Sequence, residues 1–157
     1  MREFGLIGYP LGHAYSQKYF EDKFKREGIT DCKYQLYPIS EVSKIHNIIS
    51  SQQNLIGLNV TTPYKELVIP YLNEVDDPIL RLGTVNTIKI TRDGEKYHLK
   101  GFNTDVYGLR KTFEGFTLPE GSKALIFGSG GSGKTVKFVL EEMGIKSTNV
   151  SREPKNL

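Results

Sequence analysis

Gly57-Leu58-Asn59-Val60-Thr61-Thr62-Pro63-Tyr64-Lys65-Glu66 is the stretch on which the reading of this chain turns. Ile56 to Val60 reads as a short buried strand. Thr62-Pro63 then reads as a helix start, with Thr62 as N-cap and the proline at the first helical position, where its missing N–H costs nothing. Lys65 falls in the first helical turn. The partial positive charge of a helix N-terminus disfavours an ammonium there, which marks Lys65 as a candidate acid–base group. The plainer alternative is a solvated lysine that snorkels off the helix end.

Working back towards the N-terminus, Phe4 to Gly8 is a short apolar run that ends at Gly8-Tyr9-Pro10, a strand and a turn. A loop from Leu11 to Tyr15 leads to Ser16, which can cap a helix running to about Glu27. Phe20 and Phe24 share one face of that helix, and Gly28 is its stop signal. Lys33 to Tyr37 alternates polar and apolar residues, as a strand does. Ser40 can cap a second helix, with Val42, Ile45 and Ile49 at helical spacing. Strand, helix, strand, helix, strand predicts a parallel sheet with helical crossovers.

Past the opening stretch, Thr84–Ile90 and Lys96–Leu99 flank Arg92-Asp93-Gly94-Glu95, and Asp-Gly between two strand-like runs predicts a hairpin. Asn103-Thr104-Asp105 leads into a helix with Val106, Leu109 and Phe113 on one face. Asp105 can serve simply as the cap of that helix. Residues 113–122 read as a linker between a unit at 1–112 and a second one at 123–157. In the second unit Lys123 to Phe127 is a compact apolar strand, Val136, Val139, Leu140 and Met143 line a helix, and Ser147 to Val150 starts another strand. The fold class is α/β: a mostly parallel sheet with flanking helices, then the first βαβ of a Rossmann-like unit.

Composition narrows the function classes. The 157 residues carry a net charge of +3, with basic residues scattered rather than bunched, so no nucleic-acid footprint is present. No apolar run has the length of a membrane span, and the N-terminus lacks the apolar core of a signal peptide. Cys32 is the only cysteine, which excludes an internal disulfide and fits the cytoplasm. His13, His46 and His98 have no ligand spacing, and no metal site is expected.

The glycine loop Gly128-Ser129-Gly130-Gly131-Ser132-Gly133-Lys134-Thr135 supports two readings. It satisfies the Walker A pattern, in which a lysine reaches the terminal phosphates and a Ser/Thr binds magnesium. It also holds the dinucleotide fingerprint Gly128-x-Gly130-x-x-Gly133 between a strand and a helix. Too few residues follow Thr135 to bring in the second magnesium ligand of a P-loop enzyme. Ser151-Arg152 stands where a dinucleotide fold reads the ribose. Arginine there suits a 2′-phosphate, hence NADP, and the alternative for Arg152 is a solvated residue near a chain end.

Together these residues resemble the shikimate dehydrogenase family, oxidoreductases of aromatic amino acid biosynthesis that reduce 3-dehydroshikimate with NADPH. The resemblance runs from Gly5 to about Lys155. It rests on Gly8-Tyr9-Pro10 with His13-Ala14-Tyr15-Ser16, on Asn59-Val60-Thr61 with Lys65, on Gly83-Thr84-Val85-Asn86-Thr87, on Asn103-Thr104-Asp105, and on the glycine loop. It implies that Lys65 and Asp105 are the catalytic pair and that Asn86 and Asp105 hold substrate hydroxyls, with Thr61 nearby. Ser16 would bind the substrate carboxylate. Gly128, Gly130 and Gly131 would cradle the pyrophosphate of NADP, and Ser151 and Arg152 would meet its ribose end. A paralogue acting on quinate or using NAD, a P-loop nucleotide binder, and a non-catalytic fragment that binds a small hydroxy acid are the alternatives.

The chain departs from the family pattern in three places. Ala14 stands where the family usually has a serine on the carboxylate, and Lys134 where its nucleotide helix has a small or apolar residue. The family also continues for roughly a hundred residues, about one domain's worth, beyond the second nucleotide-unit strand. One helix cannot cover both faces of a two-stranded parallel sheet. Leu125, Ile126 and Phe127 are therefore expected to be partly exposed. The segment is expected to be mobile or covered by a second copy of the chain, as in a homodimer.

Overall fold

The computed structural model describes residues 1–12 and 15–151. In chain order these form β1 (Arg2–Gly8), α1 (Ser16–Arg26), β2 (Cys32–Pro38), α2 (Ile45–Ser51), β3 (Leu55–Val60), α3 (Tyr64–Leu67), β4 (Glu74–Val75), α4 (Asp77–Leu82), β5 (Thr87–Asp93), β6 (Lys96–Phe102), α5 (Thr104–Phe113), β7 (Lys123–Phe127), α6 (Gly131–Glu142) and β8 (Lys146–Val150). The described strands make a six-stranded sheet in the order β2-β1-β3-β5-β6-β4 and a separate two-stranded sheet, β7-β8. β1 runs parallel to both β2 and β3, as the alternation of strands and helices predicts. β5 and β6 form the expected antiparallel hairpin, turned at Gly94 with φ +60°. The hairpin joins antiparallel to β3, so the sheet is mixed.

One face of the large sheet holds the main core. Ile7, Leu58, Val60, Ile88 and Leu99 pack there against Ile45 and Ile49 of α2, Tyr64 and Val68 at α3, and Ile79 of α4. Alternation along each strand sends the intervening side chains to the other face. There Phe20 and Phe24 of α1 cover Phe4, Leu6, Tyr34 and Leu36 of β1 and β2. A third cluster, Leu82, Val106, Phe138 and Val139, locks α6 against α4 and α5.

Several expected helix starts are corrected. Ser16 is the first residue of α1, whose cap position is Tyr15. Ser40 does not cap α2: its hydroxyl accepts from Lys44 Nζ at 2.7 Å, and a 3-10 turn over Val42–Lys44 precedes the helix. Thr62 is not a cap either, because α3 starts at Tyr64 with Pro63 in the cap position. Tyr64 seats this four-residue helix by burying its ring and donating to Ile39 O at 2.6 Å. In α6 the buried residues are Thr135, Phe138, Val139 and Leu140, whereas Met143 is exposed. Leu125 and Phe127 are exposed as expected, but Ile126 is buried, because it alone of the three faces α6.

Candidate active site

The site is assembled where the C-terminal ends of β1 and β3 meet the segment between α4 and β5. Gly83 ends α4 in the left-handed region at φ +70°, turning the chain sharply. The next residues thread between neighbours. Val85 N donates to Lys65 O at 2.7 Å, Asn86 N to Phe102 O at 3.0 Å, and Val60 N to Asn86 O at 2.8 Å. These main-chain bonds hold Lys65 and Asn86 side by side without using either side chain.

Asp105 completes the group from the first turn of α5. Lys65 Nζ lies 2.7 Å from Asp105 Oδ2. Asn86 Nδ2 donates to Asp105 Oδ1 at 2.8 Å. The Asn86 amide is oriented by the backbone, since Thr104 N donates to its Oδ1 at 2.8 Å. Asn86 is buried, Lys65 is only 17% exposed and Asp105 38%. The carboxylate is therefore the member of the trio that a ligand meets most easily.

Asp105 is free for this contact because it does not cap α5. Asn103 does, accepting from Val106 N at 3.3 Å. The Asn103 amide also donates to Thr84 O at 3.0 Å, to Thr84 Oγ1 at 2.9 Å and to Thr135 Oγ1 at 3.4 Å. One side chain thus ties together the turn after α4, the start of α5 and the first turns of α6.

A second line of polar groups leads from the trio towards α1. Thr87 Oγ1 donates to Asn86 Oδ1 at 3.0 Å, Asn59 Nδ2 donates to Thr87 Oγ1 at 3.3 Å, and Tyr34 Oη donates to Asn59 Oδ1 at 2.8 Å. Ser16, the first residue of α1, acts on the Tyr34 phenol from the α1 side and favours its ionised form. Burial pushes that phenol up to about 12, the Ser16 contact opposing it, so Tyr34 keeps its proton at neutral pH. Beside this line lies a cavity of about 380 Å³ bounded by Phe20, Phe24, Tyr34, Asn59, Thr87 and Phe102 among others. Ser16 therefore stands at one end of the polar line and Lys65 with Asp105 at the other. Thr61 sits between β3 and α3, its N–H on Ile7 O at 3.0 Å. Its methyl is packed so closely on Gly8 that a Cβ there would come within 2.4 Å.

Sequence reasoning assigned no role to Tyr34, Asn59, Thr104 or the Asn103 cap. A signal did exist for Asn59. It lies in a strand between buried Leu58 and Val60, and a polar side chain so placed requires partners.

Across a cleft from Lys65 lies the glycine loop. A cavity of about 400 Å³ is walled by Thr62, Pro63, Lys65 and Glu66 on one side and by Phe127, Gly128 and Gly130 to Gly133 on the other. Helix α6 begins at Gly131, and its first helical N–H bond runs from Lys134 to Gly130 O at 3.0 Å. The N–H groups of Gly131, Ser132 and Gly133 precede that bond, so the helix supplies no acceptor for them. A Cβ on Gly131 would come 3.2 Å from Lys65 Cβ, and one on Gly133 would come 2.6 Å from Gly128 O. The glycines thus permit both the tight turn and the approach to Lys65. These features fit the pyrophosphate of a dinucleotide.

They do not fit a P-loop. Thr135 is buried, donates its hydroxyl to Gly131 O at 3.0 Å, accepts from Asn103 Nδ2 at 3.4 Å and does not wall the glycine-loop cavity. Lys134 stands within the helix and pairs with Glu66 at 2.5 Å rather than folding over the loop. Ser151 is half-buried, and Arg152 and Ala14 lie outside the described residues. Among the described residues no group of three or more His, Cys, Asp or Glu could hold a metal ion, and no helix is long and apolar enough to cross a membrane.

Comparison with known proteins points to one family. The family model described as the shikimate dehydrogenase substrate binding domain matches residues 6–88. The chain is 34% identical over 154 residues to shikimate dehydrogenase (NADP(+)) of Methanosphaera stadtmanae, covering 97% of this chain and 52% of that protein. It is 41% identical over 143 residues to the enzyme of the same name from Halothermothrix orenii, covering 89% of this chain and 48% of that one. The crystal structure of shikimate dehydrogenase 1 from Peptoclostridium difficile superposes with a TM-score of 0.86 at 32% identity, over 100% of this chain and 57% of that one. The Thermus thermophilus shikimate 5-dehydrogenase, solved in complex with NADP(H) and shikimate, superposes with a TM-score of 0.80 at 27% identity, over 98% of this chain and 57% of that one. The chain spans about half the length of the curated relatives it matches. By its matched domain, its similarity to these relatives and its fold, the chain belongs to the shikimate dehydrogenase substrate-binding domain family.

Proposed function

We propose that this chain provides the substrate site and the first part of the cofactor site of an NADP-dependent shikimate dehydrogenase. The observation that carries the reading is the Lys65–Asp105–Asn86 trio facing a glycine loop across one cleft. Lys65 is the proton donor to the ketone oxygen of 3-dehydroshikimate. Its ammonium stabilises the negative charge that grows there, and its proton completes the new hydroxyl. Asp105 orients Lys65 with one carboxylate oxygen and accepts from Asn86 with the other, so both residues are held for a substrate hydroxyl. Asn86 and Thr61 line the hydroxyl side, and Ser16 takes the substrate carboxylate. NADPH, bound against Gly128, Gly130 and Gly131, supplies the hydride. Ser151 and Arg152 belong to the same reading as the contacts of its ribose and 2′-phosphate. A cytoplasmic address, supported by the single cysteine, and a homodimer, supported by the exposed Leu125 and Phe127, are further parts of the proposal. Sedimentation of the purified chain tests the dimer.

The test of function is Lys65→Ala in a version extended to the relatives' full length. Turnover, followed by reduced-nicotinamide absorbance with shikimate and NADP, is expected to fall about a hundredfold or more, the usual worth of a positioned acid–base group. Unchanged turnover removes Lys65 from the chemistry.

A further inference from the structure

The polar line between Ser16 and Asp105 has a direction. Tyr34 gives its proton to Asn59, Asn59 gives one to Thr87, Thr87 gives its own to Asn86, and Asn86 gives one to Asp105. Lys65 donates to the same carboxylate from the opposite side. Every donor in the line therefore points towards Asp105. The direction is fixed at one end by the backbone, because Thr104 N holds the Asn86 carbonyl. It is not fixed in the middle. Tyr34 and Thr87 each own a single hydroxyl proton, and the Asn59 amide can present either its carbonyl or its NH2 to each neighbour.

We propose that Tyr34 is a positioning residue: its hydroxyl holds the Asn59 carbonyl and so forces the Thr87 proton onto Asn86, coupling the Ser16 end of the site to the Lys65–Asp105 end. Tyr34 is well placed for this. It is 3% exposed, and its ring lies stacked on Phe20 with centroids 4.4 Å apart. The stack therefore fixes the phenol oxygen opposite the Asn59 carbonyl, 2.8 Å from it. Remove it, and the Asn59 amide is free to turn over, bringing its carbonyl to Thr87 in place of its NH2 to accept the Thr87 proton. Asn86 then loses one of its donors, and its own bond to Asp105 weakens, since successive hydrogen bonds polarise one another. Ser16 acts at the head of the line. Once its hydroxyl is engaged by a carboxylate, Tyr34 feels the change and passes it along. The ligand in this argument rests on the shikimate reading above; the hydrogen bonds do not.

The experiment uses this chain, nitrogen-labelled, with the side-chain NH2 resonances of Asn59, Asn86 and Asn103 assigned and shikimate as the titrant. Tyr34→Phe keeps the ring stack and removes only the hydroxyl. It is expected to move the Asn86 resonances, leave those of Asn103 in place, and weaken shikimate about five- to tenfold, the worth of one hydrogen bond. Phe20→Leu loosens the stack but keeps the hydroxyl, and is expected to move the Asn86 resonances less than Tyr34→Phe does. In a Thr87→Val background the line is already cut, so Tyr34→Phe should add nothing at Asn86. Ser16→Ala probes the line from its exposed end, and should also move Asn86. This last variant keeps the test decisive if Tyr34→Phe fails to fold. Asn86 resonances that ignore Tyr34→Phe and Ser16→Ala, or that shift equally with Thr87→Val present, overturn the proposal. If the parent chain shows no shikimate binding, the functional reading fails, and the resonances alone decide the coupling.

Discussion

Asn103 offers the sharpest test of how the site is held. Its side chain caps α5 through Oδ1 and donates through Nδ2 to both the carbonyl and the hydroxyl of Thr84, which is 0% exposed. Replacing it with alanine removes a helix cap, about 0.5–2 kcal/mol. The change also strands a buried carbonyl and hydroxyl at Thr84, a further 1–3 kcal/mol or so. A total loss of about 2–4 kcal/mol is expected, read from urea unfolding followed by far-ultraviolet circular dichroism. Asn103→Asp separates the two contributions. A carboxylate still caps Val106 N–H, and the helix N-terminus welcomes its charge. It has no donor for Thr84 O, however, and places an anionic oxygen against that carbonyl. The aspartate variant is therefore expected to remain within about 1 kcal/mol of the alanine variant, since the buried Thr84 carbonyl goes unpaired in both. Restoration of parental stability by aspartate would falsify the linking role and leave Asn103 as a cap alone.

Three other outcomes follow from the same geometry. Phe138→Ala empties the centre of the cluster that joins α6 to α4 and α5, at a cost of about 3–5 kcal/mol to that contact. Hydrogen exchange should quicken in β7 and β8 while β1 and β3 stay protected, and uniform protection throughout would contradict the packing described. Tyr34 has an alkaline signature: its folded pKa is about 12 against an ordinary value of 10, so its contribution is fully present below pH 10 and is lost as pH rises through 12. Thermal melts should show Tyr34→Phe losing less stability than the parent across that window, by up to about 3 kcal/mol, and parallel curves would refute this. Finally, no magnesium-dependent ATP binding is expected, because Thr135 is turned into the helix and Lys134 is engaged by Glu66. Micromolar affinity abolished by a chelator would revive the P-loop reading.

Much of this fold is legible in local signals. The alternation at Lys33–Tyr37, the Asp93-Gly94 turn and the glycines at 28 and 144 each report a conformation set within a few residues. The errors fall where distant partners decide. Thr62 looks like a cap, but α3 is placed by Tyr64 reaching Ile39, twenty-five residues earlier. Asp105 looks like a cap because it opens an amphipathic run. Asn103 takes that role because its amide group also finds Thr84 and Thr135. Apolar spacing in α6 puts Val136 and Met143 on the buried face. The helix packs against α5 as well as its own sheet, and this brings Phe138 in and leaves Met143 out. The trio at the cleft was legible as residue types, with their roles coming from the family resemblance. The line through Tyr34, Asn59 and Thr87 was not, since a hydrogen-bond path that crosses three strands leaves no periodicity.

Ionic strength is where the seating of α6 acquires a practical consequence. Among the described residues two ion pairs hold this helix to its neighbours, Lys134–Glu66 at 2.5 Å and Arg110–Glu142 at 2.7 Å, and each keeps much of its surface in water. The screening length shrinks from about 30 Å at 10 mM salt to about 3 Å at 1 M, so both pairs weaken as salt is added. The apolar contact through Phe138 and Val139 does not weaken, and sulfate or phosphate strengthens it. Choice of buffer therefore shifts the load from the pair beside the cleft to the contact behind it. Of the two, only Lys134–Glu66 borders the glycine loop, next to Lys65. Nucleotide affinities measured in dilute buffer and in concentrated sulfate report on a differently fastened loop, and belong on the same scale only at matched salt.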